Sequence, residues 1–188
     1  MEKKRHLFLT GVPGVGKTTL IKALLTPHLA NPDTQCAGFY TDEVREAGRG
    51  RVGFEVVSVV DGGKAMLSGV GLLPHVKLPM VGKFRVDVAG FERLALAAMS
   101  AERSALRTLV VIDEIGKMEL FSAKFKVRVR ELLETEGVML LCTVPVRSIQ
   151  FVDGLKERGD VELIEITKEN RDGVKVVLAA KLEMMLNL

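Results

Sequence analysis

Two stretches of the chain carry residue types that could do chemistry at a phosphate. The first is GVPGVGKT, Gly11 to Thr18, which matches G-x-x-x-x-G-K-[ST] at every fixed position. Gly11, Gly14 and Gly16 let the backbone wrap closely, so that successive amides point at phosphate oxygens. The start of the following helix adds partial positive charge. Lys17 brings a compact cation for the β- and γ-phosphates, Thr18 a hydroxyl for Mg²⁺, and Thr19 a hydroxyl within reach of the α-phosphate. The nucleotide-binding set is therefore Gly11, Val12, Pro13, Gly14, Val15, Gly16, Lys17, Thr18 and Thr19. The second stretch is LVVIDEIGK, Leu109 to Lys117, and it reads in two ways. As D-x-x-G, with Asp113 and Gly116 fixed, it is the switch element of a GTPase. As an apolar strand ending in Asp-Glu, it is a Walker B element, in which Asp113 holds Mg²⁺ and Glu114 polarises an attacking water.

The elements that must position these residues alternate strand and helix, which predicts an α/β fold with a largely parallel sheet. HLFLTG reads as a short buried strand. A helix follows from about Lys17 with Leu20, Ile21, Leu24 and Leu25 on one side, ending at Pro27, Asn31 and Pro32. Residues 37–60 break the alternation: two β-rich runs around Gly48–Gly50 predict an antiparallel hairpin insertion, and DGGK at 61–64 extends it into a meander. GKFRVDV gives one more strand. A helix from about Phe91 to Met99 turns Phe91, Leu94, Ala95, Ala98 and Met99 inward. TLVVIDE is an apolar run suited to a strand covered on both faces. After it come a helix striped by Phe121, Phe125, Val129, Leu132 and Leu133, the strand VMLLCTV, a short helix in SIQFVDGLKERG and the strand VELIEIT. A last helix buries Val174, Val177, Leu178, Leu182, Met185 and Leu186. No linker or repeat interrupts residues 1–188, which predicts one domain.

Composition excludes several classes. Apolar residues are 47% and charged residues 27% of the 188, near the soluble globular average. No run approaches the roughly 18 apolar residues of a membrane span. MEKKRHLFLTG opens with charge, but its apolar part is too short for a signal peptide, so no targeting is expected. Cys36 and Cys142 stand far apart with no metal-ligand spacing, which fits reduced thiols in the cytoplasm. A net charge of +3, no tryptophan and a single tyrosine, Tyr40, give no basis for nucleic-acid binding. A monomer is expected.

Other residues separate the two readings of the Asp-Glu stretch. A GTPase of the Ras kind needs Asn-Lys-x-Asp after a later strand, and the comparable place, ITKENRD at 166–172, lacks it. The Walker B reading therefore fits better and base selectivity should be loose, although Glu114 at a strand end could simply be solvated. A kinase reading stays open, with Arg45, Arg49 and Arg51 of REAGRGR as a lid over an acceptor, or else as a solvated hairpin turn, and so does a nucleotide-gated binding protein whose slow hydrolysis times a partner interaction. Thr143 ends the strand beside Walker B, as a γ-phosphate sensor or as a hydroxyl bonded to backbone. Arg171 contacts base or phosphates, or else opens the last helix as a surface residue.

FLTGVPGVGKTTLI, GFYTDEVRE…GRVGFEVV, VVIDEIGKMELF and ITKENRD, in this order and spacing, resemble the cancer-related nucleoside-triphosphatase family, from His6 to about Arg171. The resemblance implies a P-loop, RecA-like core and slow, Mg²⁺-dependent hydrolysis of ATP, GTP, CTP and UTP to diphosphate and phosphate. It implies that Gly11–Thr18 hold the phosphates, with Asp113 and Glu114 in the metal and catalytic roles. Slow turnover also follows from the lack of an evident arginine finger, a device worth about 10³–10⁵ in rate. The segment from Asp61 to Pro79 carries no block that matches.

Overall fold

The computed structural model describes residues 3–100 and 107–187. Among these residues nine strands form one sheet in the order β5-β6-β4-β3-β2-β7-β8-β1-β9. They are β1 (His6–Thr10), β2 (Thr34–Glu46), β3 (Gly50–Ser58), β4 (Lys64–Gly69), β5 (Met80–Val81), β6 (Phe84–Val86), β7 (Arg107–Ile112), β8 (Val138–Thr143) and β9 (Val161–Glu165). The run β2-β7-β8-β1-β9 is parallel, and β3, β4, β6 and β5 extend it antiparallel. The helices are α1 (Lys17–Leu29), α2 (Val88–Ala98), α3 (Ala123–Glu134), α4 (Gln150–Lys156) and α5 (Val174–Leu186).

Period-two alternation explains why the inner parallel strands β1, β7 and β8 are apolar over most of their length: each feeds two cores. Leu7, Leu9, Leu109, Val111, Met139 and Leu141 point to the layer of α1 and α5, with Ile21, Leu24, Leu178 and Leu182. Phe8, Val110, Ile112, Leu140 and Cys142 point to the opposite layer, with Phe91 of α2 and Phe125 of α3. There Phe39 of β2 meets Phe91 edge-on at 5.6 Å between centroids, and Phe91 meets Phe125 at 5.3 Å. This aromatic cluster supports the end of β7, where Asp113 follows.

The hairpin expected over 37–60 is present, but it is no separate insertion. The first half of β2 is a member of the parallel sheet, with Thr34–Phe39 in register with Arg107–Ile112, and only its second half belongs to the hairpin with β3. Gly38 makes this possible: its φ is +100°, and a Cβ there would lie 1.9 Å from the Val111 carbonyl oxygen.

Four helix expectations need correction. α1 runs through Pro27 to Leu29, because a proline in the last turn forfeits one hydrogen bond and the helix needs only two further residues. α2 begins at Val88, three residues earlier than expected, where the Asp87 carboxylate accepts from the Gly90 amide at 2.9 Å. Phe121 leaves the apolar stripe and is 40% exposed. Glu119–Phe121 form a separate 3₁₀ turn, and α3 starts afresh after Ser122, whose hydroxyl accepts from the Phe125 amide at 2.9 Å. Val177 is 53% exposed, since the buried face of α5 runs through Leu178, Leu182, Met185 and Leu186, about 100° away.

Candidate functional site

β1 and β7 run parallel with β8 between them, so the loops leaving β1 and β7 open at the same edge of the sheet. That edge, at the carboxyl ends of parallel strands, is where α/β sheets bind ligands. A cavity of about 500 Å³ opens there, lined at one end by Pro13, Gly14, Gly16, Lys17, Thr18 and Thr19 and beside them by Asp113 and Glu114. Two stretches about 100 residues apart in sequence thus share one space.

The phosphate loop is built by local rules. Gly11, Gly14 and Gly16 all take left-handed backbone angles. Gly16 caps α1 without a side-chain bond, and the first turn holds no acid, so the amides at this helix start are not claimed by a capping side chain. Lys17 is buried and its ammonium donates to the Gly11 carbonyl at 2.8 Å. The motif residues are not equivalent. Val15 is a core side chain packed with α1 and α5, so only its backbone faces a ligand. Val12 is exposed at the rim, and Pro13 lines the cavity with no amide hydrogen to give.

Asp113 is 2% exposed, and its backbone amide donates to the Phe39 carbonyl at 3.1 Å. Thr143 is fully buried and donates its hydroxyl to Asp113 Oδ1 at 2.5 Å. It therefore fixes the orientation of Asp113 from the neighbouring strand. Neither alternative offered by the sequence, a γ-phosphate sensor or a bond to backbone, described this side-chain contact. Asp113 Oδ2 is buried without a hydrogen-bond partner among the described residues. Burial pushes the Asp113 carboxyl up, while Thr143, Thr18, the Thr41 backbone and Lys17 pull it down. Glu114 is half-buried; burial raises its pKa, Lys17 opposes that and Asp113 adds to it.

Arg171 lies in the loop between β9 and α5, ahead of the last helix rather than opening it. Its guanidinium is 3.5 Å from the Val15 carbonyl, on the outer side of the phosphate loop, and it does not line the cavity. The arginines of the hairpin are occupied by its own acids: Arg45 and Arg51 bond Glu43 at 2.5 and 2.6 Å, and Arg49 bonds Glu46 at 3.4 Å. Of these three only Arg51 reaches the cavity wall.

Several residues of the wall escaped the sequence reading, Glu119 among them. Glu119, in the 3₁₀ turn, is 5% exposed and lines the cavity beside Glu114. Its sequence signal is faint: an acid set between Met118 and Leu120, which at helical spacing reads as solvated. The far end of the cavity, with Phe54, Leu67, Val81 and Met118, was equally unmarked, since it comes from four different elements.

Comparison with known proteins agrees with this geometry. A family model described as NTPase matches residues 6–178. The human cancer-related nucleoside-triphosphatase is 45% identical over 176 residues, covering 89% of this chain and 91% of that protein. The nucleoside-triphosphatase THEP1 of Aquifex aeolicus is 36% identical, covering 94% and 98%. Among solved structures, the solution structure of a human cancer-related nucleoside triphosphatase aligns with a TM-score of 0.81 at 40% identity, covering 96% of this chain and 98% of that one. The crystal structure of THEP1 from Aquifex aeolicus aligns with a TM-score of 0.79 at 34% identity, covering 95% and 99%. With a matching model over almost the whole length and relatives above one-third identity from end to end, this chain belongs to the NTPase family.

Proposed function

We propose that the protein hydrolyses nucleoside 5′-triphosphates to diphosphate and phosphate, slowly and with Mg²⁺. The observation that carries this reading is the meeting of Lys17, Thr18, Asp113 and Glu114 in one cavity. The amides of the phosphate loop and the Lys17 ammonium hold the β- and γ-phosphates. Glu114 accepts a proton from the attacking water. As the bond from the water oxygen to the γ-phosphorus forms, the bond to the bridging oxygen breaks, and the diphosphate leaves with the electron pair. Lys17 and the loop amides offset the charge that develops on the γ-phosphoryl oxygens.

The residues present fit the metal. Asp113 has a buried carboxylate oxygen without a partner among the described residues, Oδ2, its carboxyl lies near the Thr18 side chain, and both groups are hard oxygen donors. No cluster of three or more His, Cys, Asp or Glu suited to a metal occurs among the described residues. Mg²⁺ is commonly held by one or two protein oxygens together with phosphates and water, and Asp113 and Thr18 offer two such oxygens. When bound, the ion would neutralise negative charge on the phosphates. Thr143→Val removes the hydroxyl that orients Asp113 and leaves a side chain of equal volume. It is expected to raise the Mg²⁺ concentration for half-maximal phosphate release about 10- to 100-fold. An unchanged magnesium curve would show that Asp113 needs no such partner.

Selectivity for the base should be loose, because ITKENRD at 166–172 lacks the Asn-Lys-x-Asp element that reads guanine, and Arg171 within it does not line the cavity. Phosphate release from ATP, GTP, CTP and UTP is expected, with kcat/KM differing by less than about tenfold, well below what a site built to hydrogen-bond one base achieves. Release from only one of the four would overturn the broad-tolerance reading, and release from none would overturn hydrolysis itself. The protein is expected to act as a cytoplasmic monomer, where Cys36 and Cys142, both free thiols, stay reduced, and without nucleic acid or membrane.

One observation favours a second reading, phosphoryl transfer to a nucleoside or nucleotide. The cavity continues past Glu114 to an apolar end at Phe54, Leu67, Val81 and Met118, more space than a water nucleophile needs. Phosphorylated product formed from ATP in the presence of nucleosides or nucleotides would establish it.

A further inference from the structure

Glu119 has no evident structural reason to be an acid. It is 5% exposed, lines the cavity and has no cation within ion-pair distance among the described residues. Its contact with the chain is made through Oε2, which accepts the Gly116 amide hydrogen at 3.1 Å. A glutamine would accept that hydrogen as well. The same glycine ties it to Glu114: a Cβ at Gly116 would sit 2.7 Å from Glu114 Oε1 and 3.0 Å from Glu119 Oε2. The two carboxyls thus converge on one small space above Gly116 and share one wall of the cavity.

We propose that Glu119 is a positioning residue for Glu114: fixed by the Gly116 amide, its carboxyl bounds the space into which the Glu114 side chain could swing and keeps that side chain aimed at the γ-phosphate end of the cavity. This rests on Glu114 being the group that takes the proton from water.

The proton on Glu119 is part of the device. Burial, the largest cause, raises its pKa to about 8, and the charges of Glu114 and Asp113 push the same way. The charged groups on the surrounding elements are Asp113 and Glu114 after β7, Lys17 of α1, Lys117 on the same turn, and Asp42, Glu43 and Arg51 of the hairpin. Beyond the turn, Glu92 of α2 is paired with Lys124 of α3 at 3.0 Å. At neutral pH Glu119 is protonated, so no second carboxylate stands beside Glu114. As pH rises through about 8, Glu119 ionises and repels Glu114 from its place.

The test compares Glu119→Gln and Glu119→Ala for steady-state phosphate release from ATP with Mg²⁺, across pH 6 to 10. Glutamine keeps the acceptor for Gly116 and cannot ionise, so it is expected to hold kcat near the wild-type value at neutral pH. It should also lack the fall in rate that the wild type shows through about pH 8. Alanine frees Glu114 and is expected to lower kcat about 10- to 100-fold with little change in KM, the pattern of a misplaced group rather than lost binding. A glutamine variant that keeps the wild-type alkaline fall, or that is as slow as the alanine variant, would overturn the proposal. Should alanine prevent folding, seen as a collapsed thermal midpoint, the glutamine pH profile decides alone. Glu114→Gln, run in parallel, separates the two ideas: if it retains the wild-type rate, it is the role of Glu114 that fails.

Discussion

Glu114→Gln is expected to lower phosphate release about 10²- to 10⁴-fold, the range for losing a positioned general base, or roughly 3–5 kcal/mol of barrier. The change is nearly isosteric, so the cavity keeps its shape while the amide can no longer accept the proton from water. Nucleotide binding should survive, because the loop from Gly11 to Thr18, proposed to hold the phosphates, is not touched by the substitution. It removes a negative charge from beside Asp113, so affinity for a triphosphate should if anything rise. Phosphate release at saturating ATP, together with a nucleotide-binding titration, checks both halves. A variant that binds and still turns over at the wild-type rate would take Glu114 out of the reaction. A variant that no longer binds would make it a structural or metal-holding residue instead.

The largest expected effect on stability is at a position with no chemistry. Gly38→Ala places a Cβ 1.9 Å from the Val111 carbonyl oxygen and 2.8 Å from the Val111 amide nitrogen, in a backbone conformation with φ at +100°. The obstacle is backbone of the central sheet, which cannot rotate aside. Backbone strain of about 1–3 kcal/mol and a forced separation of β2 from β7 of about 1–3 kcal/mol act together. The expected loss is about 3–5 kcal/mol, a large part of the ~5–15 kcal/mol that holds a domain folded. Gly48→Ala is the matched control: φ is +75°, but no atom lies within 4 Å of the new Cβ, so only the conformational cost of about 1 kcal/mol applies. Denaturant midpoints of the two variants give the comparison. Equal midpoints would show that β2 can shift away from β7 at little cost.

What was legible in the sequence followed from strong local rules. The phosphate loop declares itself because its glycines and lysine are contiguous and flanked by strand and helix. The buried strands declare themselves because both faces must be apolar, as Leu109–Ile112 and Val138–Cys142 are. Asp113 and Glu114 were found because they end such a strand. Less visible was anything that depends on strand order. Nothing in VMLLCTV says that β8 lies between β1 and β7, and only that placement puts the Thr143 hydroxyl on Asp113. The same holds for Glu119, whose burial comes from a tight turn, and for Phe121, exposed by it. Arg171 shows the converse: near the phosphate loop in space, yet held outside the cavity by a loop that folds on itself through Asn170, whose side chain bonds the Glu165 carbonyl at 2.9 Å.

The continuity of β2 has a mechanical consequence. The strand is a beam with one end built into the parallel sheet and the other projecting as an arm of the hairpin. Between the two regions, Phe39 gives its carbonyl to the amide of Asp113, and a few residues on, Thr41, Asp42 and Glu43 form part of the cavity wall. A load applied at the hairpin tip, by a bound molecule or a neighbouring surface, would run past the irregularity at Val44–Arg45 and into the built-in end of the beam. Bending at that root would shift the Phe39 carbonyl and, with it, the backbone that anchors Asp113.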